Sequence, residues 1–126
     1  ILICNLNREM YENIKIYKLC NTKYIHITQN IVEQIKFNKL KILDVSDSYE
    51  ILNVNHLTDT LIELYCGPKI NQDGIKDLKK LQVLNLKKNY NITNVNHLGK
   101  TLIELYCGSK INQDGIKNLE VLQFLD

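Results

Sequence analysis

The sequence predicts an α/β solenoid: short parallel strands stacked side by side and joined by short helical or 3₁₀ returns. Three observations carry the prediction. Thr60–Asn85 comes back 41 residues later as Thr101–Asp126, with 20 of 26 positions identical, and a self-match at fixed period is the mark of a stacked-repeat architecture. Within that period a shorter apolar ladder, L-x-x-L-x-L, starts at Leu40, Leu61, Leu81, Leu102 and Leu122 in steps of 20 or 21 residues, so the long period is a pair of units. Inside each ladder the apolar residues alternate, which turns them to one face of a strand and their neighbours to the other. A single strand of this kind cannot bury its own apolar face, and stacking successive turns joins the faces into one core.

The clearest unit reads Leu81, Leu84, Leu86 and Asn89, then Ile92, Val95 and Leu98 on the return. Leu40, Leu43, Val45 and Ser48 precede Ile51, Val54 and Leu57 in the same way. The two near-identical units run Leu61, Leu64, Cys66, Lys69, Ile70, Ile75, Leu78 and Leu102, Leu105, Cys107, Lys110, Ile111, Ile116, Leu119. Upstream, Thr22, Ile25, Ile27 and Asn30 form a shorter and weaker unit, with Ile31, Ile35 and Phe37 filling in. The returns ILNVNHL and ITNVNHL are Asn-rich and β-branched, which suits an extended or 3₁₀ path. In the other two units Asp73 and Asp114 are placed to N-cap a short helical turn, with Gly74 or Gly115 just inside.

Residues 1–21 do not follow the pattern. Met10, Ile14 and Tyr17 fall on one helical face behind Asn7, so this segment is expected to cap the apolar end of the array or to close a preceding helical domain. An F-box-like helix, and a degenerate strand through Ile1, Cys4 and Leu6, are the alternatives. The array proper is expected over 22–126, with units starting near 22, 40, 61, 81, 102 and 122. Because the chain begins at Ile1 and stops inside a unit, it is expected to be part of a longer solenoid.

The spacing and the L-x-x-L-x-L core resemble the leucine-rich repeat family over residues 22–126. The resemblance implies a leucine-rich repeat solenoid with a parallel concave sheet and helical or 3₁₀ returns on its convex side. It also implies a role in binding protein partners, either alone or as the recognition arm of a larger enzyme or ubiquitin-ligase adaptor. The Ile, Asn and Lys bias resembles proteins of AT-rich genomes, such as those of some protists and large DNA viruses. The family's Asn position is filled at Asn30 and Asn89 but holds Ser48, Lys69 and Lys110 elsewhere. A continuous Asn ladder is therefore not expected, and Gly67-Pro68 and Gly108 are expected to take up the altered bend.

Composition narrows the function. With 44% hydrophobic and 24% charged residues and a net charge of +2, neither a membrane span nor a nucleic-acid surface is indicated. Lys79, Lys80, Lys87 and Lys88 form the one dense basic group and read as solvated surface. Cys4, Cys20, Cys66 and Cys107 make no C-x-x-C pair, so thiols in a reducing, cytoplasmic setting are expected. Cys66 and Cys107 sit two strands apart, beyond disulfide reach. His56 and His97, in the repeated V-N-H-L, belong to alternate turns and cannot share a metal. Gly67–Lys76 lacks the glycine spacing of a phosphate loop, Asp73-Gly74 and Asp114-Gly115 lack the acidic alternation of a calcium loop, and the sequon Asn91-Ile92-Thr93 is expected to go unused. No catalytic constellation, cofactor, metal or small-molecule substrate is indicated.

What remains is the outward row of the sheet. If the ladder residues point inward, the outward row carries Tyr24, His26, Ile42, Asp44, Glu63, Tyr65, Val83, Asn85, Lys87, Glu104, Tyr106, Phe124 and Asp126. Of these, Tyr24, His26, Glu63, Tyr65, Val83, Asn85, Glu104, Tyr106 and Phe124 are expected to meet a partner. Aromatic and acidic side chains in this mixture suit protein recognition, because Tyr gives a large contact area at low entropic cost. Identity between the copies reports duplication and carries no functional weight.

Overall fold

Leu43, Leu64, Leu84 and Leu105 are the middle residues of four three-residue strands, and each is fully buried. The computed structural model describes residues 16–22, 26–34 and 37–126. Over that range six strands form one parallel sheet in sequence order: β1 (Lys18–Cys20), β2 (Ile42–Asp44), β3 (Glu63–Tyr65), β4 (Val83–Asn85), β5 (Glu104–Tyr106) and β6 (Phe124–Leu125). The four leucines stand opposite one another in register, with Leu19 and Leu125 at the two ends. This is an α/β solenoid of the leucine-rich-repeat type, with the starts at 40, 61, 81, 102 and 122 in the expected register.

The ladder continues past each strand. The N–H groups of Val45, Cys66, Leu86 and Cys107 donate to the carbonyls of Tyr65, Asn85, Tyr106 and Asp126, at 3.0, 2.9, 2.8 and 2.7 Å. The side chains of Val45, Cys66 and Leu86 are buried, as are the return residues Ile51, Val54, Leu57, Ile70, Ile75, Leu78, Ile92, Val95 and Leu98. Ile111, Ile116 and Leu119 pack on the same core but are only partly covered.

Three of the four returns between Asn55 and Ile116 are 3₁₀ turns and one is α-helical. Asn55–Leu57 and Asn96–Leu98 are 3₁₀ turns, as the β-branched returns predict. Gln72–Gly74 is also 3₁₀, whereas its copy Gln113–Ile116 completes one α-helical turn. The cap is not the expected aspartate. Asn71 and Asn112 are the N-caps, their side chains accepting from the N–H of Gly74 and Gly115 at 3.0 Å. Asp73 and Asp114 lie inside the first turn, exposed, and form i,i+3 pairs with Lys76 and Lys117. Backbone proximity decides the glycines: a Cβ on Gly115 would lie 2.1 Å from the Thr93 carbonyl oxygen, and one on Gly67 would lie 2.5 Å from those of Val45 and Ser48.

The Asn ladder is broken, as expected. The buried Asn89 amide donates to the carbonyls of Gly67 and Ile70, both at 2.7 Å, and accepts from the N–H of Asn91 and Ile92, both at 2.9 Å. Ser48, also buried, donates to the Ile27 carbonyl at 2.8 Å. Lys69 and Lys110 are exposed and take no such role.

The N-terminal unit differs from the sequence reading. Its strand is Lys18–Cys20 rather than a segment from Thr22 onward, and Leu19 faces Leu43. Ile16 then stands three residues before Leu19, as Leu40 does before Leu43, and both are buried. The third ladder place falls on Asn21, whose side chain accepts from the Ile27 N–H at 3.1 Å. That polar residue hid the unit. Tyr17 is exposed in extended chain, its carbonyl accepting from Lys41 and Ile42, and is not helical. Asn30 is exposed within the helical turn Gln29–Val32, N-capped by Thr28, and is not a ladder residue. Ile27 and Phe37 do enter the core. The expected faces and strands through Ile1, Cys4, Leu6, Met10, Ile14, Ile25 and Ile35 lie outside the described residues.

Leu84→Ala leaves a cavity beneath the central strand and should lower unfolding stability by roughly 2–5 kcal/mol. An unchanged denaturant midpoint would contradict the register. Asn71→Ala should cost about 1 kcal/mol through the lost cap, while Asp73→Ala, at an exposed pair, should change unfolding stability by less than about 0.5 kcal/mol. Thermal melts of the two variants in parallel distinguish the cap from its neighbour.

Candidate functional site

Strand pairing in register turns the outward residues into rows. Ile42, Glu63, Val83, Glu104 and Phe124 form one row across the sheet, and Asp44, Tyr65, Asn85 and Tyr106 form the next. In the central strands these side chains are half-buried, because each leans on its neighbours while its tip meets solvent. Six of the expected residues, Glu63, Tyr65, Val83, Asn85, Glu104 and Tyr106, are thus brought onto one contiguous patch. Phe124 joins it at the edge, 45% exposed.

Two expected members remain. Tyr24 lies outside the described residues. His26 is exposed but belongs to the loop after β1, just ahead of the buried Ile27, and it lines a shallow recess with Asn21, Thr22 and Asp47.

The two halves of the patch differ in charge. At the β5 end the Tyr106 ring is tilted against Phe124, centroids 5.2 Å apart, and the Lys87 ammonium lies 5.3 Å from the Tyr106 centroid. The same ammonium pairs with the Asp126 carboxylate. At the β3 end Tyr65 has Asp44 beside it on β2 and Glu63 on its own strand. Burial first, then the negative charge of Glu63, Tyr106, Asp44 and Glu104, raises the Tyr65 phenol above its ordinary value of 10.0. Alternation places Lys87 on the outward row, but its seat over Tyr106 comes from a strand-to-strand neighbour and is not visible in the pattern of alternation. A signal existed: Lys87 and Asp126 flank Tyr106 at the two adjacent strand ends.

The opposite side of the solenoid is tied down by its own polar side chains. His56 and His97 reach back, Nε2 to the carbonyls of Val32 and Ile75 at 3.1 and 3.0 Å. A carbonyl only accepts, so each Nε2 carries a proton. Burial lowers the His97 pKa despite the opposing carbonyl bond and Asp77. Asn55 and Asn96 reach forward to the carbonyls of Asp73 and Asp114, and their amide oxygens accept from Asp77 and Asn118. Gln29 and Gln72 each clamp the next return, at Leu52-Asn53 and Thr93-Asn94. These histidines and amides are structural staples, and the paired Gln could have been found from its place just behind each cap.

Among the described residues no group of His, Cys, Asp and Glu is arranged to hold a metal, and no helix is long and apolar enough to cross a membrane. The described cysteines are in no disulfide, and β4 lies between Cys66 and Cys107. Burial raises the pKa of both thiols, most strongly at the fully enclosed Cys66. The basic group Lys79, Lys80, Lys87 and Lys88 is split: Lys87 and Lys88 pair with Asp126 and Asp47, while Lys79 borders a cleft of about 620 Å³ along the returns with His97, Lys100 and Lys117. Comparison with protein families, with curated proteins and with solved structures finds no match to this chain.

Unfolding returns the Tyr65 phenol to its ordinary value. Above about pH 10 the unfolded chain therefore gives up that proton before the folded one, and ionisation favours unfolding. The stability present below that pH should fall as pH rises toward the folded value. In Tyr65→Phe the urea midpoint should fall less steeply over the same interval; parallel slopes in the two proteins would contradict the raised phenol.

Proposed function

We propose that this chain is a leucine-rich repeat segment that acts as a protein–protein interaction module. It binds its partner through the open face of the sheet and has no catalysis of its own. The observation that carries the reading is the patch of Glu63, Tyr65, Val83, Asn85, Glu104 and Tyr106. An aromatic ring and a half-buried carboxylate stand together on β3 and again on β5, with Val83 and Asn85 of β4 between them, while many polar groups of the returns are consumed in holding the turns together. A preformed strand array offers such groups without ordering cost, and Tyr contacts at the middle of an interface commonly carry much of its affinity.

Tyr65→Ala with Tyr106→Ala should sharply reduce capture of partner proteins by the immobilised chain, with thermal unfolding nearly unchanged. Equal capture by the double variant and the parent would refute the assignment of the sheet face. Loss of capture together with loss of the folded baseline would refute the claim that these rings are not structural.

A further inference from the structure

We propose that Tyr65, with Asp44 and Glu63 beside it, is a seat for a lysine or arginine side chain of the protein partner; this rests on the interaction-module reading above. The chain displays the arrangement once within itself. Over Tyr106 the ammonium of Lys87, from the end of the preceding strand, lies against the ring and reaches the Asp126 carboxylate on the strand beyond. Cation, aromatic face and anion stand in line across three strands, and a cation over a tyrosine ring beside a carboxylate is held by both.

The 41-residue duplication puts Tyr65 in the same place one turn-pair earlier, but with different neighbours. Ser46 stands where the second copy has Lys87, and Asn85 stands where it has Asp126. Ser46 is turned to its own strand, its hydroxyl donating to Asp44 at 2.8 Å. Among the described residues no lysine or arginine lies over the Tyr65 ring, and Asp44, Glu63 and Glu104 form no ion pair; Lys88, the cation near enough to act on Asp44, is held by Asp47. Register sets Asp44 beside Tyr65, and burial first, then the neighbouring carboxylates, hinders ionisation of the phenol. The seat over Tyr65 therefore has its ring and its anions from this chain and takes its cation from outside. Charge complementarity selects a basic side chain: the ring and the carboxylates of Asp44 and Glu63 come from neighbouring strands and leave only the cation to be supplied.

The double substitution Ser46→Lys with Asn85→Asp writes the second copy's cation and anion into the first and leaves the net charge unchanged. The probe is a blocked peptide of alternating Ser and Lys, titrated at low ionic strength and followed by amide shifts in the sheet. The parent should bind it with shifts centred on β2–β4, and the double variant should bind it about tenfold more weakly because its own lysine fills the seat. The same peptide with acetylated lysines should not bind, and spermidine should not reproduce the shifts. Equal affinity of parent and double variant, absence of binding to the parent, binding of the acetylated peptide, or equivalent shifts with spermidine would each overturn the proposal. Captured partners separate this failure from failure of the interaction reading: retention by Ser46→Lys/Asn85→Asp but loss by Tyr65→Ala/Tyr106→Ala removes only the cation seat, and retention by both removes both.

Discussion

No turn of this solenoid can bury its own leucine. Each of β1–β5 contributes three residues, of which the middle one faces inward, and in β2–β5 its cover is the leucine of the turn on either side. Parallel strands must then lie about 4.8 Å apart, and everything else in the chain is bent to that spacing. Gly67 and Gly115 are glycine because the carbonyl of the preceding turn occupies the place of a side chain. The thiol of Cys66 is enclosed where a leucine stands in the next turn, and burial makes it a small apolar filler with little tendency to ionise.

Close stacking leaves backbone carbonyls pointing between turns, and polar side chains meet them from both directions. Asn89 satisfies two in the interior, while the His and Asn of each V-N-H-L reach opposite neighbours on the outside. The staples are on the return side. The sheet side carries side chains whose polar ends are less committed, and this asymmetry is what makes the strand face, rather than the Asn-rich returns, the surface with chemistry to offer.

Most of the fold was legible because the leucine ladder is a strong periodic signal and the duplication repeats it. The unit at Ile16 was not, since Asn21 replaces an apolar rung and its compensation, a bond to the Ile27 backbone, is invisible in a pattern of hydrophobic letters. The caps were misread by two residues: Asn71 and Asp73 both suit the role in composition, and only the extended backbone at Asn71 decides between them. Of the sheet-face residues, those on β3, β4 and β5 follow directly from alternation. His26 does not, because it lies beyond the strand that its expected unit was thought to contain. The seating of Lys87 over Tyr106 depends on sequence separation of a whole turn, which no local window contains.

The alternation of turn types has a consequence for how such an array can change length. The Asn89 amide belongs to one type of turn, and the carbonyls of Gly67 and Ile70 that it serves belong to the other. Gain or loss of a single turn would set two of the same type against each other. Lys69-type turns in succession would bring no amide to those buried carbonyls, each a costly group to leave without a donor. A whole pair of turns keeps each amide of the Asn89 type beside carbonyls of the other type, and the 41-residue period of the sequence is one such pair.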